Sequence, residues 1–345
     1  MEPDWGNFSV PGGLQELSPW AARLFLAVER FIQELVRDTA WNGPVLLGLS
    51  GGPDSTALAV IMKLLAGRTG FGIAGAHVDH GLRPESVDDA RFCAMLCERL
   101  DIPFYGTSKD IAALGHETGT GIEDAGRTAR YGWFREVSEK IGADVVATGH
   151  QLNELAADQL MRLLRGAGWP ALGGMPAWDP ARRILRPLLM TPKAELQRLL
   201  EELRIPWRED ASNRETRFTR NRVTLNILPL VFRENPDYLA ACTGLWRQAA
   251  MDREHWARCV LEAEADSPRP DFLPNAVLKR ASAALRLRLY KRAVEALGPG
   301  QPLSNNLRRL DQAWVARATA KRLQFPGGKT AEITPDGIRF RRGRG

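Results

Sequence analysis

The 345-residue chain has little cysteine, histidine or tyrosine, with 4, 5 and 4 residues respectively. Four cysteines build no disulfide framework, and no C-x-x-C pair is present. Cys93 and Cys97, four apart in an apolar helical pattern, read as reduced core thiols, and the cytoplasm is the simplest home for such a protein. No apolar run approaches the ~20 residues that span a bilayer, so no membrane partner is expected. The opening MEPDWGNFSVPGG has neither a basic start nor an apolar core, so no signal peptide is expected. The full G-x-x-x-x-G-K-[ST] pattern is also missing, which excludes a Walker A phosphate loop. There is no internal repeat.

What is there is an ordinary globular composition with lopsided charge. Hydrophobic residues make up 44% of the chain, enough for a sizeable core, and the length allows two or three domains. The net charge of +6 conceals two halves of opposite sign. Residues 203–345 carry 27 Lys/Arg against 15 Asp/Glu, whereas residues 1–202 carry 20 against 26. A basic back half suits a polyanionic partner, and its cations are mostly arginine, whose fork fits phosphate. Solvated helices decorated by an arginine-rich composition are the plainer alternative.

The hydrophobic pattern alternates strand and helix over the first two thirds. After a Ser18-Pro19 helix start come strands at 45–49, 71–78, 103–107 and 145–148. Helices are expected at about 56–65, 85–100 and 122–141 between them. This order predicts an α/β fold with a doubly wound, mostly parallel sheet, whose ligands bind beyond the C-terminal strand ends. Helices follow at 192–203, 219–232 and 236–263. A helix carrying Leu278, Leu285 and Leu289 and another at 304–318 precede short hairpin strands at 323–325, 330–333 and 338–340. The expected organisation is a flexible leader over 1–20, an α/β domain over 21–215, a helical linker over 216–266 and a small α+β domain over 267–345.

The segment Ser50-Gly51-Gly52-Pro53-Asp54-Ser55 lies between the first strand and the next helix. Glycines there allow positive φ, so backbone N–H groups can converge on an anion at a helix N-terminus. The Ser50 and Ser55 hydroxyls can donate to phosphate. Asp54 would repel phosphate unless a Mg²⁺ ion stands between them, which makes it a candidate metal-linked or catalytic group. A glycine-rich turn with an aspartate cap is the alternative.

This loop resembles that of the PP-loop ATP pyrophosphatases, which share an adenine nucleotide α-hydrolase-like fold and cleave ATP between its α and β phosphates. Further segments resemble the tRNA(Ile)-lysidine synthase family in order and spacing. They include His77 to Arg83 (H-V-D-H-G-L-R), Glu123 to Tyr131 (E-D-A-G-R-T-A-R-Y), Gly149-His150, Arg162 to Gly168, Leu172 to Met175, Arg186 to Leu189, Glu209 to Asn213, Arg220 to Arg222 and Leu323 to Lys329. The resemblance covers roughly residues 44–345. It implies ATP as a substrate with Mg²⁺, an isoleucine tRNA with a CAU anticodon and free lysine as partners, and lysidine as the product. Either a monomer or a homodimer is compatible with the sequence.

On this reading ATP is bound by Ser50, Gly51, Gly52, Pro53, Asp54, Ser55, His77 and Gly149, with Asp54 also the candidate metal ligand. His77 equally suits a core position at a strand end. Arg127 and Arg130, on one helix face with Tyr131, are candidate catalytic cations for the pyrophosphate leaving group. A Glu123–Arg127 surface pair is the alternative there. Arg220, Arg222, Lys279, Arg280, Arg286 and Arg288 are the candidate tRNA contacts, those from Lys279 onward expected on a single helix that also carries Lys291 and Arg292. The family's acidic run after His150 is altered: its first Asp falls on Asn153, its second on Glu154, and its amine-holding Glu on Ala157. Glu154 is then the candidate catalytic and lysine-binding carboxylate, with Asp158 second on the same helix face. The change leaves open another nucleophile, or an RNA-binding protein that has lost turnover. A thiolase of the usual kind wants paired reactive cysteines, which Cys93 and Cys97 supply poorly.

Overall fold

The computed structural model describes residues 5, 8, 11–37, 43–81, 86–209, 218–267 and 269–343. The chain divides into two compact units, Met1–Arg247 and Gln248–Gly345.

The first unit opens with α1 (Pro19–Val36), whose N-cap Ser18 accepts the Ala21 N–H on its hydroxyl. Then follow β1 (Val45–Gly48), α2 (Pro53–Thr69), β2 (Ile73–Asp79), α3 (Ser86–Arg99), β3 (Phe104–Ser108), α4 (Ile111–Thr118), α5 (Ile122–Ile141), β4 (Val145–Thr148), α6 (Leu152–Leu164), β5 (Trp178–Asp179), β6 (Ile184–Leu185) and α7 (Lys193–Glu202). The sheet runs β3-β2-β1-β4-β6-β5, parallel throughout except for β5 at its edge. This is the doubly wound sheet that the alternation predicts. Its order reverses at β1, which pairs with β2 on one side and β4 on the other. The crevice beyond β1 and β4 is therefore where a ligand site belongs.

β1 feeds both layers by simple alternation. Val45 and Leu47 join the core that contains α2, while Leu46 joins the cluster with Phe134 and Val137 of α5. α2 is buried from Ser55 through Met62, as a helix with no polar face must be. It begins at Pro53, three residues before the expected Thr56, because proline is favourable at the first helical position.

The helix expected over 219–232 is three contiguous pieces: α8 (Thr219–Arg222), a π turn (Val223–Ile227) and α9 (Leu228–Glu234). Pro229 has no N–H for the usual helical bond, and the Leu228 N–H reaches back five residues to Val223 O. α10 (Tyr238–Ala265) follows.

The second unit contains β7 (Phe272–Pro274), α11 (Asn275–Arg280), α12 (Ala283–Ala296), α13 (Ser304–Val315), β8 (Arg322–Phe325), β9 (Lys329–Thr334) and β10 (Gly337–Arg342). Its antiparallel sheet has the order β7-β10-β9-β8. One expectation is corrected here. Lys279 and Arg280 lie on α11, whereas Arg286, Arg288, Lys291 and Arg292 lie on α12. The chain breaks at extended Ala281, and the Ser282 hydroxyl caps the new helix by accepting the Leu285 N–H. Lys329 is buried, and its ammonium donates to Gly298 O at 2.6 Å and Gly300 O at 2.7 Å. Among the described residues no helix is long and apolar enough to cross a membrane.

Candidate active site

The loop after β1 is closed by its own side chains. Gly51 takes φ +81, which glycine adopts without strain, but Gly52 is extended (φ −70, ψ 165) and caps α2, so only the first glycine uses the left-handed region. The Ser55 hydroxyl accepts the Ser50 N–H at 3.1 Å and donates to Gly52 O at 3.1 Å. Its proton is thus engaged inside the loop, while Ser50 is exposed. From behind, the Arg208 N–H donates to Gly51 O at 2.8 Å and the Arg208 guanidinium pairs with Asp89 at 2.8 Å. At Gly149, just past β4, an added Cβ would lie 3.0 Å from the Asp54 carbonyl and the Ser55 nitrogen. Glycine there lets the end of β4 lie against the start of α2.

Three helix N-termini carry polar side chains that meet at Asp54. Asp54 is in the first turn of α2, and its buried Oδ1 has no hydrogen-bond partner. Burial, reinforced by the nearby Glu154 carboxylate, pushes its pKa up to about 6, while Lys193 and a hydrogen bond from Gln151 pull it down. Gln151 Oε1 caps α6 by accepting the Asn153 N–H at 2.6 Å. Asn153 Oδ1 in turn accepts the Lys193 N–H at 3.0 Å, at the first residue of α7. Asn153, a departure from the family's aspartate, therefore ties α6 to α7. Helix N-termini favour anions.

Burial keeps two histidines of this region, His77 and His150, neutral. His77 Nδ1 donates to Leu49 O at 2.9 Å, stitching β2 to the end of β1, and its buried Nε2 has no partner. Burial lowers its pKa. Burial and three neighbouring arginines, Arg186, Arg220 and Arg130, lower that of His150 to about 4. Arg130 donates to His80 Nε2 at 3.2 Å, and Arg127 stands 5.1 Å over the Tyr131 ring rather than on Glu123.

The two carboxylates expected to hold an amine each carry an arginine. Glu154 Oε1 accepts from Arg220 Nη2 at 2.6 Å, and Asp158 Oδ2 accepts from Arg162 Nε at 2.7 Å. Ala157 is buried among Met161, Val223 and Cys242, so its position faces the core. Arg222 donates to Thr219 Oγ1 at 3.1 Å. The structure thus joins Asp54, Glu154 and Gly149 to Gln151 and Lys193, and brings Arg220 and Arg130 beside them. Gln151, Lys193 and Arg186 are site residues that the sequence alone does not single out for a role. The convergence of Gln151 and Lys193 on Asp54 is not legible in the sequence, because it joins the starts of separate helices.

The remaining candidate tRNA contacts lie in the second unit. Arg286 makes a two-pronged pair with Asp311 at 2.7 and 3.0 Å, Arg280 pairs with Asp266 at 3.3 Å, and Arg288 stacks 3.8 Å over Trp256. Lys279 is exposed and has no ion-pair partner among the described residues. Arg83 and residues 210–213 lie outside the described residues. Cys93 and Cys97 are free and buried, and burial pushes the Cys97 thiol up to about 12, so neither is a ready nucleophile.

A PP-loop domain model matches residues 25–231, so the sheet and its loop define a PP-loop ATP-binding protein. The chain is 40% identical to a tRNA(Ile)-lysidine synthase from Nitratidesulfovibrio vulgaris, covering 87% of this chain and 92% of that protein. It is 35% identical to the tRNA(Ile)-lysidine synthase of Thermus thermophilus, over 79% of this chain but 52% of that longer protein, and 39% identical to the one from Deinococcus radiodurans, over 70% and 40%. The chain belongs to the tRNA(Ile)-lysidine synthase family. In fold it also resembles a U34-tRNA thiolase from Methanococcus maripaludis, with a TM-score of 0.54 at 20% identity, covering 68% of this chain and 80% of that one.

Proposed function

We infer that this protein is an ATP-dependent carbon–nitrogen ligase that forms lysidine on an isoleucine tRNA. The observation that carries this reading is the 40% identity to a lysidine synthase along 92% of its length. The C2 oxygen of the wobble cytidine attacks the α-phosphorus of ATP, and pyrophosphate leaves. The ε-amine of lysine then attacks C2, AMP departs with the oxygen, and the amine loses a proton.

This chain's residues divide that work by charge. The backbone of Ser50–Ser55 and the α2 N-terminus cradle the phosphates, with the unpartnered His77 Nε2 and the Gly149 turn flanking them. Lys193, close enough to Asp54 to lower its pKa, joins Arg127 and Arg130 in stabilising charge on the leaving pyrophosphate. Asp54, whose Oδ1 is buried and orphaned, fits a Mg²⁺ ion, which keeps most of its ligands as water and substrate phosphate and would neutralise charge on ATP. Glu154 holds the lysine ammonium, with Asp158 behind it. Arg220 and Arg222 in the first unit, and Lys279 with Arg280, Arg286 and Arg288 in residues 267–345, serve tRNA binding. Lys279 is the direct phosphate contact, and Arg286 acts by holding α12 to α13. Free buried thiols fit a cytoplasmic location.

Mass spectrometry of tRNA nucleosides after incubation with ATP and lysine tests the reading. Lysidine should appear only when both are present. Its absence, with ATP consumed and another adduct formed, would replace lysine by another nucleophile.

A further inference from the structure

We propose that Arg220 couples the binding of lysine and of tRNA in this reaction: it closes Glu154 to lysine until an RNA phosphate draws it away. The proposal rests on the lysidine-forming reading above.

The ion pair is the starting point. Arg220 Nη2 and Glu154 Oε1 are 2.6 Å apart, a charge-assisted contact that occupies the carboxylate a lysine ammonium would need. Two cations cannot share that oxygen without repulsion, so lysine must displace Arg220. The side chains are 35% and 32% exposed, which leaves both within reach of incoming ligands.

The two partners differ in how firmly they are held. Glu154 is in the first turn of the 13-residue α6, whose start is capped by Gln151 and tied by Asn153 to α7. Arg220 stands on the four-residue α8, which runs directly into the π turn Val223–Ile227. Such turns mark irregular, frequently functional stretches of helix. When the pair opens, Arg220 is the member that moves.

The surroundings say what would move it. Arg130, Arg186 and the neutral His150 share these surroundings, with Glu154 and Asp54 the nearby carboxylates. A phosphate brought to this cluster gains from Arg130 and Arg186, and Arg220 gains by turning to it. Glu154 is then left facing cations other than Arg220, with an oxygen free to accept the lysine ammonium. Binding of RNA and of lysine becomes mutually favourable, and linkage makes the coupling reciprocal. The phosphate could come from tRNA or from ATP. The separate origin of Arg220, outside the loop that faces ATP, favours tRNA.

The test measures lysine binding to the full chain by equilibrium dialysis in three arms: protein alone, with a non-hydrolysable ATP analogue, and with tRNA. Lysine affinity should rise by at least about fivefold with tRNA, within the usual range of coupling between sites. It should change little with the analogue alone. Arg220→Ala should bind lysine tightly without tRNA and show no further gain with it, whereas a merely structural Arg220 would weaken lysine binding in every arm. Arg220→Lys should restore part of the coupling. Arg220→Gln replaces the alanine variant if that one fails to fold. Conversely, lysine should raise tRNA affinity by the same factor. Equal lysine affinity with and without tRNA, a gain produced by the ATP analogue, or coupling that survives in the Arg220 variants would each overturn the proposal. Nucleoside analysis of the same preparation separates the two failures. Lysidine formed without coupling overturns only the role of Arg220, and no lysidine overturns the underlying reading as well.

Discussion

The arginines of the two units live differently. In the first unit the exposed Arg130 reaches His80, and the half-buried Arg220 reaches Glu154 beside Asp54. In the second, Arg286 is folded into a network with Asp311 and Tyr290, and its side chain is 13% exposed. Arg292 is tied to Glu264 at 2.7 Å and Arg322 to Glu332 at 3.0 Å. The basic half of the chain therefore offers fewer free cations than its net charge suggests. A charge count locates a polyanion site only after the internal ion pairs are subtracted.

Asp54→Asn should have the largest effect and separates function from fold in the first unit. Turnover should fall by about 10³-fold or more, the size expected when a metal-linked term of several kcal/mol is lost. The fold should become firmer. The folded pKa of Asp54, about 6, stands above the ordinary aspartate value of 3.8, so the native state binds the extra proton between those values. Wild-type stability from this group is thus present below about pH 4 and is lost as the pH rises through 6. Thermal melts should show the asparagine variant more stable by on the order of 2 kcal/mol above pH 7, with no difference near pH 4. Wild-type activity should decline as the pH falls through about 6. A variant that melts below wild type at pH 7.5 would contradict the burial argument.

In the second unit the largest effect should be on stability. Arg286→Ala leaves Asp311 without its guanidinium in a largely buried setting and should cost about 3 kcal/mol, read as a lower melting temperature. If its melt is unchanged while tRNA binding collapses, Arg286 is an RNA contact and the contrast between the units fails. Glu154→Gln should lower kcat/KM for lysine about tenfold while the KM for ATP changes little, and Asp158→Asn, already bound to Arg162, should do less. Steady-state kinetics with each substrate varied would check both. Lys279→Ala should weaken tRNA binding a few-fold, reduce the slope of log affinity against log salt by about one, and leave the melt intact.

Much of this was legible in the sequence, for identifiable reasons. Strands β1 and β4 and helix α5 announce themselves through apolar runs and periodicity, and Ser18-Pro19 marks the start of α1 within a residue. β5 and β6, at two residues each, are too short to make a pattern. α4 is not evident from the sequence although Asp110 caps it and Gly119 ends it, because eight residues give little periodicity. The break at Ser282 was hidden by leucines that continue in helical register on both sides. At the site, the loop could be read because glycine, serine and aspartate are adjacent in the chain. The meeting of Glu154 with Arg220 could not, since 66 residues separate them. Nor could Asn153 be recognised as a brace for α7, because its partner is a backbone N–H, which sequence does not reveal.

Lys329 adds a built-in reporter. At 1% exposure, with its amine held by two carbonyls, it is shielded from amine-reactive reagents for as long as the second unit stays closed. The exposed Lys279, Lys291 and Lys321 should be labelled first, and Lys329 only as the strand pair and the 298–300 turn come apart. Following that one residue by peptide mass would time the opening of the small unit in the intact protein, with and without tRNA, without altering the sequence.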